Sequence, residues 1–178
     1  MTRKSYGLKK TVQTKSHRVD AVGCWIMGTT FVSLSPESSA GEVGFWMQDS
    51  VLELWLRLLA LHLPEDPEPG PLAHRLRDQW LLASRGYFNG WVPHCLDEFA
   101  SSEQGIRLIR QTIQSLMTRL NEASDSLDHD TLNLLGIEGL FTAEIATAKL
   151  EEVGKAFIDL LDGRITSTVE STAFMPGS

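Results

Sequence analysis

The sequence predicts a mainly α protein: a helical bundle of about five helices with a small N-terminal β or irregular segment. Three observations predict it. After Asp49, apolar residues recur at three- and four-residue spacing over long stretches. Gly86, Gly136 and Gly163 fall just past the ends of such stretches, where helices commonly stop. β-Branched and aromatic residues gather instead in Val19 to Leu34, ahead of the first helix. The 178 residues, 42% of them hydrophobic, suffice to bury roughly 70% of the unfolded surface.

Val19 to Leu34, punctuated by Gly23 and Gly28, is expected to form one or two strands, and Ser35 to Gly41 a turn or loop. Glu42 to Met47 reads as a further short strand or an aromatic lead into the first helix. Asp49 or Ser50 then caps a helix running to about Leu63, with Glu53 and Arg57 paired at i,i+4. Val51, Leu52, Leu54, Trp55, Leu58, Leu59 and Leu61 cover most of its circumference, which predicts a central core helix. Four prolines between Pro64 and Pro71 break the pattern. Pro71 suits the first turn of a second helix, Leu72 to Arg85, closed by Gly86.

In the third helix Ser101 and Gln104 form a capping box, and Ile106, Ile109, Ile113, Leu116, Met117 and Leu120 share one face. A short helix near Asp130 to Leu135 ends at Gly136. The last helix is predicted from Thr142 to Gly163, with Ile145, Ala148, Val153, Ala156, Phe157 and Leu160 inward. Three regions follow: a basic arm at 1–18, a single helical domain at 19–163, and a Ser/Thr-rich tail at 164–178.

Charge divides the chain in the same way. The whole sequence has 23 acidic and 16 basic residues, a net −7. Residues 1–18 hold six of the basic ones (Arg3, Lys4, Lys9, Lys10, Lys15, Arg18) and no acid, and are expected to be a solvated, disordered arm. The remaining 160 residues therefore carry a net −13, which repels phosphate backbones and favours a basic partner. Met27 offers an alternative start that would remove the arm.

Cys24 and Cys95 make no disulfide framework and are expected to be reduced and buried. No apolar run follows the basic arm as a secretory signal requires. Val51 to Leu63, interrupted by Glu53, Arg57 and His62, is too short and too charged to span a bilayer. A cytoplasmic location is the expectation.

The segment from Arg85 to Phe99 stands out, because two glycines and a proline accompany Tyr87, Phe88, Trp91 and Phe99. Aromatic side chains on a loop either seal the core or anchor a partner. Beside Asp97 and Glu98 they suit a contact with a basic protein surface. Glu65, Asp66 and Glu68 on the proline-rich loop form a second, rim-type candidate. His94, Cys95, Asp97 and Glu98 lack the paired spacing of a zinc site, and adjacent His94 and Cys95 point apart. The sequence has no phosphate-binding glycine loop, no Gly-x-Ser-x-Gly elbow and no His-Glu-x-x-His. No catalytic residue, metal or cofactor is therefore assigned. Leu132 to Val153 has the outline of a helix-turn-helix, but its second helix holds excess acid, which disfavours nucleic acid.

With its Trp-rich, acidic helical body and the Gly86–Phe99 loop, the chain resembles bacterial immunity proteins, which bind and inhibit a cognate toxin. The resemblance covers Asp49 to Gly163 in general character. It implies stoichiometric inhibition without chemistry, through Tyr87, Phe88, Trp91, Asp97, Glu98, Glu65, Asp66 and Glu68 on a basic toxin surface. The alternative is an enzyme or small-molecule binder with a pocket between helices, walled by Trp55, Trp80 and Trp91. A self-associating scaffold is a third class.

Overall fold

A computed structural model of the chain describes residues 28–35, 43–63, 70–86, 91–137 and 141–167, and the backbone of 169–170. The basic arm, Cys24, Glu65, Asp66, Glu68, Tyr87 and Phe88 lie outside the described residues.

The architecture is mostly helical with a small β part, as the periodicity predicts. Strands β1 (Thr29–Ser33) and β2 (Gly44–Gln48) pair antiparallel, with Phe31 opposite Trp46 and Val32 opposite Phe45. Strand alternation turns Thr30, Val32, Phe45 and Met47 inward. Phe31 and Trp46 face outward, their rings 5.2 Å apart.

Helix α1 (Asp49–His62) follows β2 directly and is the central helix the sequence predicts, with Leu52, Leu54, Trp55, Leu56 and Leu59 fully buried. Asp49 does not cap it. Gln48 occupies the cap position, and Asp49 begins the helix with its side chain turned to Thr30. Arg57, expected to pair with Glu53, instead donates from Nη2 to the Gly136 carbonyl at 2.9 Å. Helix α2 (Pro71–Ala83) starts at its proline as predicted, and Gly86 takes φ 80° just beyond it.

A short helix that the sequence did not predict, α3 (Leu96–Phe99), leads into α4 (Glu103–Glu122). The cap of α4 is Ser102, whose Oγ accepts from the Gly105 amide at 3.0 Å. It lies one residue beyond the Ser101 of the predicted box. Ile109, Ile113, Leu116 and Leu120 are buried on the predicted face.

Between α4 and the last helix lie β3 (Ser126–Leu127), α5 (His129–Leu134) and β4 (Ile145–Ala146), with β3 and β4 paired antiparallel. The last helix, α6 (Thr147–Leu161), therefore starts five residues after the predicted Thr142. Thr147 is fixed there because its amide and its hydroxyl each donate to the Asp125 carbonyl at 3.0 Å. With that start Ala148 faces solvent rather than the core. The intervening strand also separates α5 from α6 by more than a helix-turn-helix turn. Beyond α6, β5 (Val169–Glu170) joins β2 in parallel, so the tail supplies the third strand of the sheet.

The core lies where α1 meets β2, α4 and α6. The Phe157 ring sits 5.5 Å from Phe45 and 5.8 Å from Trp55, joining sheet, α1 and α6. Truncating Phe157 to alanine there costs about 3–5 kcal/mol. α6 approaches closely through Gly154, where an added Cβ would lie 2.9 Å from Met117 Sδ and 3.1 Å from Trp55 Cη2. No helix among the described residues is long and apolar enough to cross a membrane.

Candidate functional site

The segment from Trp91 to Phe99 lies along the edge of β1 and is held by side-chain bonds rather than by strand pairing. The Val92 amide donates to Thr30 Oγ1 at 2.8 Å, and that hydroxyl donates to Asp49 Oδ1 at 2.7 Å. Trp80 Nε1, from α2, donates to the His94 carbonyl at 3.1 Å. Cys95 then adopts φ 56°, a left-handed conformation, and turns the chain into α3. Val92, Leu96 and Phe99 are buried beneath this turn.

The chemistry-bearing groups of the segment are used internally. His94 Nδ1 accepts from the Leu96 amide at 3.1 Å, which leaves the proton on Nε2 to bond the Phe31 carbonyl at 3.2 Å. Burial pushes the His94 pKa down, against smaller upward effects from the Phe31 carbonyl and Asp97. Burial pushes the Cys95 thiol up, and Asp97 adds to that rise. The thiol donates to the Pro93 carbonyl at 3.4 Å, and both His94 nitrogens are held by backbone. No nucleophile–base pair forms between these two residues. Cys95 is half-buried rather than buried.

Trp91 stands differently. It is 46% exposed, at the start of a segment whose next residue is locked to Thr30. Asp97 is half-buried and Glu98 exposed. Glu98 is bound by Arg75 of α2, whose guanidinium also lies 5.4 Å from the Phe99 ring centroid. Of the aromatics described in the segment, Phe99 seals the core and Trp91 reaches solvent. Trp55 and Trp80 are fully buried, so of the three proposed pocket walls only Trp91 meets solvent.

Sequence reasoning missed Thr30, Asp49 and Arg75, because these contacts span 19 to 62 residues and no local pattern announces them. The excess acid noted for Leu132 to Val153 belongs to a longer acidic run. Glu122, Asp125, Asp128, Asp130, Glu138, Glu144, Glu151 and Glu152 fall within 31 residues whose one Lys or Arg is Lys149. The β3–β4 pairing draws both ends of that stretch together, with Ser126 Oγ donating to Glu144 Oε2 at 2.8 Å. Asp128 caps α5, and the Thr131 amide and then its hydroxyl hold the carboxyl below its ordinary range. Among the described residues no group of three or more His, Cys, Asp or Glu side chains is placed to hold a metal.

In comparison with known proteins, the chain matches no family model, no curated protein and no solved structure.

Proposed function

We propose that the chain is a non-catalytic binding protein of the immunity type, acting in the cytoplasm to bind and inhibit a cognate toxin. Its four longer helices serve as a bundle that supports the contact surface. The observation that carries this reading is Trp91, a large aromatic left 46% exposed on a segment that Thr30, Trp80 and His94 hold rigid. Fixing the backbone next to such a side chain before contact lowers the entropy cost of association, and tryptophan is among the residue types most enriched at binding hot spots. Asp97 lies on the same segment, and Tyr87, Phe88, Glu65, Asp66 and Glu68, outside the described residues, are proposed from the sequence as further contacts. The net −13 of residues 19–178 steers a basic partner toward this surface.

The test couples capture to rescue. Proteins retained by the tagged chain in extracts of its native organism are identified, and each is expressed alone and together with the chain. One retained protein is expected to arrest growth alone and to lose that effect on co-expression. Trp91→Ala should abolish the rescue while the chain stays folded. Rescue of equal strength by Trp91→Ala removes this surface from the contact, and no toxic partner among the retained proteins ends the immunity reading.

A further inference from the structure

Segment Trp91–Cys95 is strapped to the fold chiefly through His94. Its Nε2 donates to the Phe31 carbonyl of β1 at 3.2 Å, and its own carbonyl accepts from Trp80 Nε1 of α2 at 3.1 Å. Its Nδ1 accepts from the Leu96 amide at 3.1 Å, closing the turn that Cys95 makes at φ 56°. A neutral imidazole donates from one nitrogen and accepts at the other, whereas an imidazolium donates from both. The site supplies one acceptor, the Phe31 carbonyl, and one donor, the Leu96 amide. Turning the ring over exchanges the nitrogens and leaves the mismatch unchanged. A proton on Nδ1 therefore sets two donors face to face and leaves the Leu96 amide without an acceptor. It also places a charge on a residue that is 8% exposed.

The surroundings do little to accept that charge. Asp97 of α3 favours the charged ring, but less strongly than burial opposes it. From α1, Asp49 is turned to the Thr30 hydroxyl, with Glu53 one turn further along. From α2, Arg75 meets Glu98 and Arg77 meets the Leu63 carbonyl, while His74 and Asp78 are exposed. β1 and β2 hold no charged residue. The Cys95 thiol, pushed up by burial, stays neutral in acid. Lifting the strap satisfies the proton at small cost in apolar surface. Of its five residues, Val92 is the one buried apolar side chain; Trp91 is already exposed, and Pro93 and Cys95 are half-buried. Release exposes far less than unfolding the core between α1, α4 and α6, and it frees Cys95 from the left-handed conformation.

We propose that His94 is an acid-operated latch: protonation at Nδ1 lifts Trp91–Cys95 from the edge of β1 while the helical core stays folded. The closed form refuses the proton and the open form takes it at the ordinary value of 6.5. The ratio of open to closed chains therefore grows about tenfold per pH unit below 6.5, until the folded-state value is reached. The consequence for a partner rests on the reading of Trp91 given above: a contact built on that residue loses its fixed backbone in acid and dissociates faster.

Amide hydrogen exchange is measured by NMR on the full chain between about pH 7 and about pH 4.5, in water and in low urea, each rate being referred to the intrinsic rate at that pH. Protection of the Val92 and Leu96 amides is expected to fall about tenfold per pH unit below 6.5 and to be nearly independent of urea. The Ile113 amide of α4 should stay better protected throughout and exchange faster as urea is added. In His94→Gln, which cannot titrate, the acid slope at Val92 and Leu96 should vanish whether or not glutamine holds the strap. Nitrogen chemical shifts of the His94 ring need no variant and should show Nε2–H at neutral pH. Equal protection and equal urea dependence at Val92, Leu96 and Ile113 would mean that acid unfolds the whole fold. An unchanged slope in His94→Gln would give the proton to another group, and Nδ1–H at neutral pH would undo the bonding pattern. Each of these outcomes overturns the latch. No partner enters the measurement, so loss of the immunity reading leaves the latch standing, and loss of the latch leaves Trp91 on a fixed backbone at every pH.

Discussion

The hydroxyl of Thr30 donates to the carboxylate of Asp49 at 2.7 Å while accepting the Val92 amide at 2.8 Å. One buried oxygen thus ties β1, the first turn of α1 and the segment that carries Trp91. Thr30→Val keeps the shape and removes both bonds, leaving a buried amide and a buried carboxylate each short of a partner. At about 1–3 kcal/mol for each such group, the loss in urea-derived stability should be about 2–6 kcal/mol. Thr30→Ser retains the oxygen and should lose less than about 1 kcal/mol. Equal stability of the two variants would show that the hydroxyl does not carry this junction.

His94 makes the same junction sensitive to acid. Its folded pKa lies below the ordinary 6.5, chiefly through burial, so the unfolded chain takes up a proton that the folded chain refuses. Stability should therefore fall as pH drops below about 6.5. Asp49 works in the opposite sense: burial outweighs the Thr30 bond and raises its pKa above 3.8, so its contribution weakens as pH rises through the folded value. Urea midpoints measured across this range should slope downward below 6.5 in the native chain and flatten in His94→Gln. An unchanged slope in that variant would assign the acid sensitivity to other groups.

The parts of this fold written in short-range pattern were legible, and the parts made by distant contacts were not. Ile109, Ile113, Leu116 and Leu120 repeat on one face of α4, and Gly136 and Gly163 take φ 75° and 68° at helix ends, as a sequence reading anticipates. Ile145 fits a helical period equally well, yet it belongs to β4 because Leu127 pairs with it across 18 residues. Two residues of strand carry too little periodicity to be told from a helix start. The candidate surface divides likewise. Exposure of Trp91 beside burial of Phe99 depends on Thr30 and Trp80, which sequence spacing does not relate to that segment.

Two glycines should respond very differently to alanine. A Cβ at Gly105 would lie 1.8 Å from the Phe99 carbonyl oxygen, so the α3–α4 corner must shift its backbone. A loss of about 3 kcal/mol or more is expected for Gly105→Ala. At Gly154 the tightest contacts are to the flexible Met117 side chain, and alanine gains about 1 kcal/mol in helix propensity. The net loss for Gly154→Ala should be about 1–2 kcal/mol, limited by the fixed Trp55 ring. Thermal and urea unfolding of both variants tests the ranking, and the reverse order would contradict the close approach at α3–α4.

The Arg75–Glu98 pair offers a separate handle on partner recognition. Both side chains are at least half exposed, at 62% and 50%, so the pair is screened and should add less than about 1 kcal/mol to stability. Arg75→Gln removes a cation and leaves Glu98 uncompensated on the segment that begins with Trp91. Against a basic partner this should accelerate association several-fold at low salt, with most of the gain lost once the Debye length shrinks toward about 3 Å at 1 M salt. Stopped-flow association rates of native and variant chains with a partner captured as proposed above, over a salt series, measure the effect. Faster association that persists at high salt would point to a packing change at Phe99 rather than charge. Unchanged association at low salt would place Glu98 outside the contact and confine recognition to Trp91 and its aromatic neighbours.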